Sequence, residues 1–196
     1  PEAAFEIGQG WRYFPKGTVH VCVVDPGVGS ERKPILIEAG GQFFIGPDNG
    51  VFTMIYSAGR HRVREITNPK LMLTHVSRTF HGREVFAPAA AHLAKGTPPA
   101  RFGKLVKEVV RLPALEPTKL RGHVWRGVIL KVDRFGNLIT NFHEHQFPDV
   151  KTMPIEVRIA GRTIRRLALT YADTAPGELA VVIGSSGYLE MVANQA

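Results

Sequence analysis

The loop at residues 25–32, with the sequence DPGVGSER, contains the side chains best suited to chemistry. It follows residues 18–24, a β-branched run typical of a strand that is covered on both faces. Asp25 is therefore the first polar residue beyond a predicted strand, which is where α/β sheets place their ligand sites. Arg32 can return across this glycine-rich loop to pair with Asp25. Taken alone, the loop fits an active site and a structural turn equally well.

A second candidate segment is TFHGRE, at residues 79–84. Apolar residues at helical spacing follow it over residues 85–93, so His81 is expected at a helix N-terminus. Free N–H groups and the helix dipole favour negative charge there. By itself His81 fits an ordinary surface position. Together with Asp25 and Arg32 it forms a set in which an arginine holds an anion and the other two groups move or orient a proton.

Two further segments lie towards the C-terminus. In VDRFGNLITNF, Asp133 can bind a cation and Phe135 offers an aromatic face, although the segment also suits a simple turn at Asn137. In GSSGYLEMVANQA, Ser185 and Ser186 are predicted in a turn whose hydroxyl and N–H groups can bind a carboxylate. Each of these segments is ambiguous when it is considered alone.

Composition and charge exclude several classes of protein. The 196 residues contain no apolar run long enough for a membrane-spanning helix, so no membrane association is expected. The formal charge is +8, but Arg60, Arg62 and Arg64 alternate along a predicted strand, which favours a solvated strand face over a nucleic-acid surface. The lone Cys22 within an apolar run cannot form an internal disulfide, and this suits a cytoplasmic protein.

No motif for a metal or a nucleotide cofactor is evident. His143 and His145 lie on one side of a predicted strand but have no third ligand nearby, so no metal site is expected. The glycine-rich dinucleotide fingerprint, the phosphate-binding loop and the nucleophile-elbow pattern are all missing from the sequence.

The element pattern divides the chain in two. Residues 1–112 combine helical periods with β-branched runs, which predicts an α/β domain with a mostly parallel sheet flanked by helices. Residues 113–121 form a proline-containing linker. Residues 122–196 contain only short strands and turns, which predicts an all-β domain built as an antiparallel barrel or sandwich.

The four segments VDPGVGSER, TFHGREVFAPAAAHL, VDRFGNLITN and GSSGYLEMVAN, taken in order, resemble the S-adenosylmethionine hydroxide adenosyltransferases. These enzymes are relatives of the fluorinase and chlorinase that also cleave S-adenosylmethionine. The resemblance implies a homotrimer with each active site between the N-terminal domain of one subunit and the C-terminal domain of its neighbour. It also implies that water attacks the ribose 5′ carbon and releases adenosine and L-methionine. S-adenosylmethionine is then the substrate, and no cofactor is needed.

The same resemblance assigns roles to individual residues. The catalytic set falls on Asp25, Arg32 and His81. At the ribose the resemblance implies contacts with Thr79 and Phe80, and Gly82 would lie beside the nucleophile. The methionine ammonium would contact Asp133, and the methionine carboxylate would contact Ser185 and Ser186. The adenine would be lined by Phe135, Asn137, Tyr171 and the backbone near Asn194 and Gln195.

Alternative functions stay open at this point. A halogenase would carry a serine where this chain has Gly82 and would replace the Asp and Arg of the set, so water is favoured as the nucleophile. The family normally begins with a strand carrying T-D-F-G, and the present chain lacks that first strand–helix unit. We expect that the unit lies outside this sequence or that the chain is a shortened homologue. The second case leaves a non-catalytic adenosine-binding or S-adenosylmethionine-binding protein as an alternative.

Overall fold

The computed structural model describes residues 1–195 and separates them into two compact units. The N-terminal unit comprises Ala3–Leu112, and the C-terminal unit comprises the residues from Pro113 onward together with Pro1–Glu2. Among the described residues, no helix combines the length and the apolar composition that crossing a bilayer requires.

The N-terminal unit contains a five-stranded sheet and a few short helices. Its helices are α1 (Glu2–Gly10), α2 (Thr53–Ser57) and α3 (Ala87–Ala94), the last preceded by a π-helical turn at Gly82–Phe86. Its strands are β1 (Val19–Val21), β2 (Pro34–Ala39), β3 (Gln42–Pro47), β4 (His61–Glu65) and β5 (Leu105–Val106), in the spatial order β1-β3-β2-β4-β5.

The predicted α/β character is confirmed, but the prediction of a mostly parallel sheet is wrong. Only β1 and β3 pair in parallel, while β2 pairs antiparallel with both β3 and β4, and β4 does so with β5. For β2 and β3 the reason is the tight turn at Gly40 and Gly41, both with positive φ, which joins the two strands directly. Such a turn permits only antiparallel pairing, because a parallel pair requires a long crossover connection.

Strand β1 also differs from expectation. It pairs with β3 alone at the edge of the sheet, and Val21, Val23 and Val24 are each about half exposed in the described unit. A β-branched run thus predicted the strand correctly but not the coverage of its two faces. Burial depends on which elements pack against a strand, and the run itself does not encode them.

Both faces of the central strands are buried. On β2, Ile35 and Ile37 join one apolar cluster, while the intervening Leu36 joins the other. The second cluster includes Val85 and Phe86 from the helical segment that begins after His81. Alternating side chains of one strand therefore anchor the helix that carries His81 against the sheet.

The C-terminal unit is built from short strands. They are β6 (Thr118–Lys119), β7 (Trp125–Arg126), β8 (Ile129–Val132), β9 (Leu138–His143), β10 (Val157–Ile159), β11 (Arg162–Ile164), β12 (Leu179–Ile183) and β13 (Tyr188–Ala193). Four of them form an antiparallel sheet in the order β12-β13-β9-β8, and the others form two separate antiparallel pairs. The antiparallel β character is confirmed, whereas closure into a barrel or sandwich stays a prediction.

Candidate active site

Asp25 and Arg32 form a buried ion pair within the loop that follows β1. The guanidinium Nε lies 3.1 Å from Oδ1 and 2.9 Å from Oδ2 of Asp25, and Nη2 lies 2.5 Å from Oδ2. The side chains are only 7% and 6% exposed, respectively for Arg32 and Asp25. Because the pairing involves two nitrogens of one planar group, it fixes the orientation of the guanidinium as well as its position.

His81 joins this pair through Arg32. Nη2 of Arg32 lies 2.6 Å from Nδ1 of His81, across 49 residues of sequence. A guanidinium has no acceptor, so Nδ1 accepts this hydrogen bond and the ring proton lies on Nε2. The three residues that the sequence predicted as a set are therefore brought together, with Arg32 at the centre.

One nitrogen of Arg32 remains available. Nη1 is buried and has no hydrogen-bond partner among the described residues. Its guanidinium carbon lies 5.3 Å from the centre of the Phe86 ring, which covers one face of the group. Buried N–H donors are nearly always paired in proteins, so Nη1 is suited to an anion or a polarised oxygen supplied by a ligand.

The loop of Asp25 is held in place by its neighbours. Nδ2 of Asn49 donates to the carbonyl of Val24 at 2.9 Å, immediately before Asp25. Gly29 has a φ of +82°, and a β-carbon there would lie 2.8 Å from the carbonyl oxygen of Arg78. The 25–32 loop therefore packs directly on the chain that leads to His81. Only glycine combines this conformation with such a close approach.

Glu84 supports the same region and was not predicted. It is buried on the π-helical turn, and its Oε2 accepts a hydrogen bond of 2.6 Å from the Ser77 backbone N–H. Its hydrogen bond with Arg83, followed by those from Ser77, lowers its pKa to about 2. Ser77 Oγ in turn accepts from the Phe80 N–H at 3.1 Å. The available signal was an acidic residue in the first turn of a predicted helix, which is common and therefore unspecific.

The predicted substrate residues around His81 lie on an exposed stretch. Thr79 and Phe80 precede His81, and the ring of Phe80 is 56% exposed with the Arg83 guanidinium 4.7 Å from its centre. A β-carbon on Gly82 would lie 3.0 Å from Cγ1 of Val23. A larger residue at position 82 would therefore contact Val23, two residues before Asp25.

In the C-terminal unit, Asp133 organises a tight turn. Its Oδ1 accepts hydrogen bonds from the backbone N–H of Phe135 at 2.8 Å and of Asn137 at 2.9 Å. Its Oδ2 accepts from Nδ2 of Asn137 at 2.9 Å. Desolvation acts to raise the pKa of Asp133, but the hydrogen bonds from Asn137 and then Phe135 outweigh it and lower the pKa. Asn137 is buried, while Phe135 is 79% exposed and has the Arg134 guanidinium 5.6 Å from its ring centre.

Tyr171 lies beside a carboxylate that sequence reasoning missed. Its hydroxyl lies 3.5 Å from Oε2 of Glu190, which is 8% exposed on β13. Desolvation and then the charge of Asp133 raise the pKa of Glu190. Desolvation, followed by Glu190 and Asp133, raises the pKa of Tyr171. Glu190 was overlooked because it lies within an otherwise apolar strand.

The remaining predicted residues lie at the two ends of β13. Ser185 and Ser186 form the turn that precedes the strand, where Ser185 is exposed. Asn194 and Gln195 follow the strand, and Nδ2 of Asn194 donates to the carbonyl of Thr174 at 2.6 Å. The structure therefore does not gather these four residues at one point. The side-chain amide of Asn194 is used to hold the chain around Thr174.

Two family models match most of the chain, one over each part. The model of the SAM hydroxide adenosyltransferase N-terminal domain matches residues 1–103, and that of the corresponding C-terminal domain matches residues 127–196. The chain belongs to the SAM hydroxide adenosyltransferase family. Both candidate groups of side chains lie within the matched regions, including Asp25, Arg32 and His81 in the first and Asp133 in the second.

Two relatives have named activities, and one solved structure closely resembles this chain. A (R)-S-adenosyl-L-methionine hydrolase from Salinispora arenicola is 38% identical over 96% of this chain and 71% of its own length. A fluorinase from Actinoplanes sp. is 29% identical over 94% of this chain and 73% of its own length. The crystal structure of an uncharacterized conserved protein from Thermotoga maritima superposes with a TM-score of 0.87 at 34% identity, covering 98% of this chain and 76% of that protein.

Proposed function

We propose that this SAM hydroxide adenosyltransferase hydrolyses S-adenosyl-L-methionine to adenosine and L-methionine. The observation that supports this most directly is the buried network of Asp25, Arg32 and His81, in which Nη1 of Arg32 has no partner among the described residues. The (R)-S-adenosyl-L-methionine hydrolase named above is similar to this chain over 96% of its residues.

The chemistry requires help mainly at the nucleophile. A sulfonium is a good leaving group, so the bond between the ribose 5′ carbon and sulfur needs no acid to break. Water must instead be held and made hydroxide-like while it attacks that carbon. An N–H donor on a fixed guanidinium stabilises the developing negative charge without having to reorganise, and Nη1 of Arg32 meets this requirement.

The proton that water loses must be accepted nearby. With Nδ1 of His81 occupied by Arg32 and its proton on Nε2, the neutral ring has no free lone pair. The Asp25 carboxylate retains acceptor capacity beyond its bonds to Arg32. We therefore assign Asp25 as the proton acceptor and His81 as the group that holds Arg32. The balanced step gives adenosine, L-methionine and one proton.

Substrate contacts follow the assignments that the resemblance implies. Thr79 and Phe80 flank the ribose, and Gly82 borders the nucleophile. Asp133 faces the methionine portion, whereas Phe135 and Tyr171 offer aromatic surfaces to the adenine, as their exposure permits. The other proposed contacts are Asn137, Ser185, Ser186, Asn194 and Gln195. S-adenosylmethionine acts as the substrate, with no cofactor and no metal.

The assembly and location of the protein are also proposals. We expect a homotrimer whose active sites lie between subunits, a cytoplasmic location, and no binding of nucleic acid or membranes. Light scattering after size-exclusion chromatography tests the trimer directly, and a monomeric mass would overturn it.

Incubation in ¹⁸O-labelled water tests the proposed reaction. Attack at the ribose 5′ carbon transfers the label to the 5′ hydroxyl of adenosine, which mass spectrometry detects. Unlabelled adenosine, or no adenosine from folded protein, would overturn hydrolysis. Excess halide in the same assay tests the halogenase alternative, because it would yield halogenated adenosine. Ligand binding without any turnover would support the non-catalytic alternative.

A further inference from the structure

Two consecutive residues, Asp48 and Asn49, contact the chain at both ends of the 25–32 loop. Nδ2 of Asn49 donates to the carbonyl of Val24 at 2.9 Å, and the backbone N–H of Asp48 donates to the carbonyl of Lys33 at 2.8 Å. Val24 directly precedes the loop, and Lys33 directly follows it. The two members of the buried ion pair are the first and last residues of this loop. Each of them is therefore the immediate neighbour of a residue whose carbonyl is held by this dipeptide, which we call the clasp.

The hydrogen-bond ladder of the sheet ends before the loop begins. Strands β1 and β3 pair in parallel, and the N–H of Phe43 donates to the carbonyl of Thr18 at 2.9 Å. In steps of two residues, the next donors on β3 are Ile45 and then position 47, which is a proline and has no N–H. The side-chain amide of Asn49, two residues farther along, supplies a donor just beyond the point at which the ladder stops.

The clasp is anchored outside the loop that it holds. Hydrogen bonds within the loop, such as that from the N–H of Val28 to the carbonyl of Asp25 at 3.2 Å, shape the loop but do not attach it to the sheet. Asp48, in contrast, is buried, and its Oδ1 accepts from the N–H of Val110 at 3.0 Å. The clasp therefore connects the ends of the loop to a distant part of the N-terminal unit.

We propose that Asn49 is a positioning residue that sets the orientation of Arg32. This inference rests on the proposed function, since it takes Nη1 of Arg32 as the donor to the attacking water. The guanidinium takes its orientation from the two carboxylate oxygens of Asp25. A shift of the Val24 carbonyl moves Asp25 and the guanidinium with it. A misplacement of about 1 Å in a catalytic group can cost about 10²-fold in rate, so one hydrogen bond outside the site controls the reaction.

Asn49→Asp and Asn49→Ser test the donor separately from the turn that Asn49 forms. Oδ1 of Asn49 accepts from the N–H of Val51 at 3.2 Å. A carboxylate or a hydroxyl can still accept that bond, so the turn should form in both variants. A carboxylate cannot donate to the Val24 carbonyl, and a serine hydroxyl is too short to reach it. We expect kcat for adenosine release to fall by about 10–10²-fold in both variants, with a much smaller change in KM. Because serine is uncharged, a loss shared by both variants reports on the missing donor.

Asn68→Asp is the matched control, because Asn68 makes the same pair of hydrogen bonds elsewhere in the N-terminal unit. Its Nδ2 donates to the carbonyl of Arg101 at 2.8 Å, and its Oδ1 accepts from the N–H of Lys70 at 3.1 Å. This variant should lose a similar amount of thermal stability and keep the wild-type kcat. An equal fall in kcat for Asn68→Asp, or a wild-type kcat for Asn49→Asp, overturns the proposal.

Amide hydrogen exchange of the full chain, measured by mass spectrometry without substrate, reports on the loop and requires no turnover. In Asn49→Asp the peptide covering residues 24–33 should exchange about fivefold faster, as expected for the loss of one hydrogen bond, while peptides of β2 and β4 keep their wild-type rates. Faster exchange throughout the unit would indicate a general structural role, and unchanged exchange at residues 24–33 would show that Asn49 does not order the loop. Either result overturns the proposal. Local protection that depends on Asn49 in a protein that makes no adenosine would support the ordering of the loop while refuting the reaction.

Discussion

Nη2 of Arg32 donates to Nδ1 of His81 at 2.6 Å, and the direction of this hydrogen bond is fixed because a guanidinium cannot accept. The same nitrogen also donates to Asp25. Arg32 is thus held from two sides, which leaves Nη1 as the donor available to the nucleophile. This relationship makes His81 a positioning residue in the proposed reaction and leads to two separable predictions.

Arg32→Lys should show that the shape of the guanidinium matters as well as its charge. Lysine keeps the positive charge but cannot bind Asp25 through two nitrogens while it also reaches His81 and the nucleophile. We expect kcat to fall by about 10²–10³-fold, as when a transition-state donor is lost, with a much smaller change in KM. Steady-state kinetics of adenosine release measures both. Arg158→Lys, at an exposed ion pair, should behave as wild type, and full activity of Arg32→Lys would refute the role.

His81→Asn and His81→Phe should separate positioning from proton transfer. The amide oxygen of asparagine can replace Nδ1 as the acceptor for Arg32, whereas phenylalanine leaves a buried donor unpaired at a cost of about 1–3 kcal/mol. We expect His81→Asn to keep much of the rate and His81→Phe to lose most of it. Comparable losses in both variants, measured by adenosine release, would instead indicate that His81 exchanges a proton.

Gly29→Ala should destabilise the N-terminal unit through two effects. The positive φ disfavours alanine by about 1–2 kcal/mol, and the new β-carbon meets the Arg78 carbonyl. Gly17→Ala is the matched control, since Gly17 has a φ of +85° but no atom within 4 Å of the added carbon. Thermal unfolding should show a larger loss for Gly29→Ala, accompanied by lower activity. Equal losses in the two variants would show that the contact with Arg78 contributes nothing.

Glu84→Gln should change how stability depends on pH. The folded-state pKa of Glu84 is depressed from 4.5 to about 2, so its contribution is complete above the unfolded value and is lost as the pH falls towards 2. We expect the variant to melt below wild type at neutral pH and the difference to narrow in acid. Calorimetric melting at pH 7 and near pH 3 checks this. Glu156→Gln should differ little from wild type at either pH, because its partners are exposed.

Local patterns in the sequence predicted much of the fold. The short apolar runs of β2 and β3 and the glycine pair between them specify a hairpin, and the helical period after His81 specifies the helix that the structure contains. The change to short strands after residue 112 likewise predicted the antiparallel sheets of the C-terminal unit. These features could be predicted because each depends on residues that are close together in the chain.

The sequence by itself determined the elements, the family resemblance and the identity of Asp25, Arg32 and His81 as a set. Only the tertiary structure decided the antiparallel pairing of most of the N-terminal sheet, the hydrogen bond between residues 49 positions apart, and the burial of Glu84 and Glu190. Strand order, burial and hydrogen-bond partners depend on contacts between distant parts of the chain. The sequence around a glutamate in a strand or in a first helical turn is the same whether its side chain is exposed or buried. The difference arises only when the elements pack against each other.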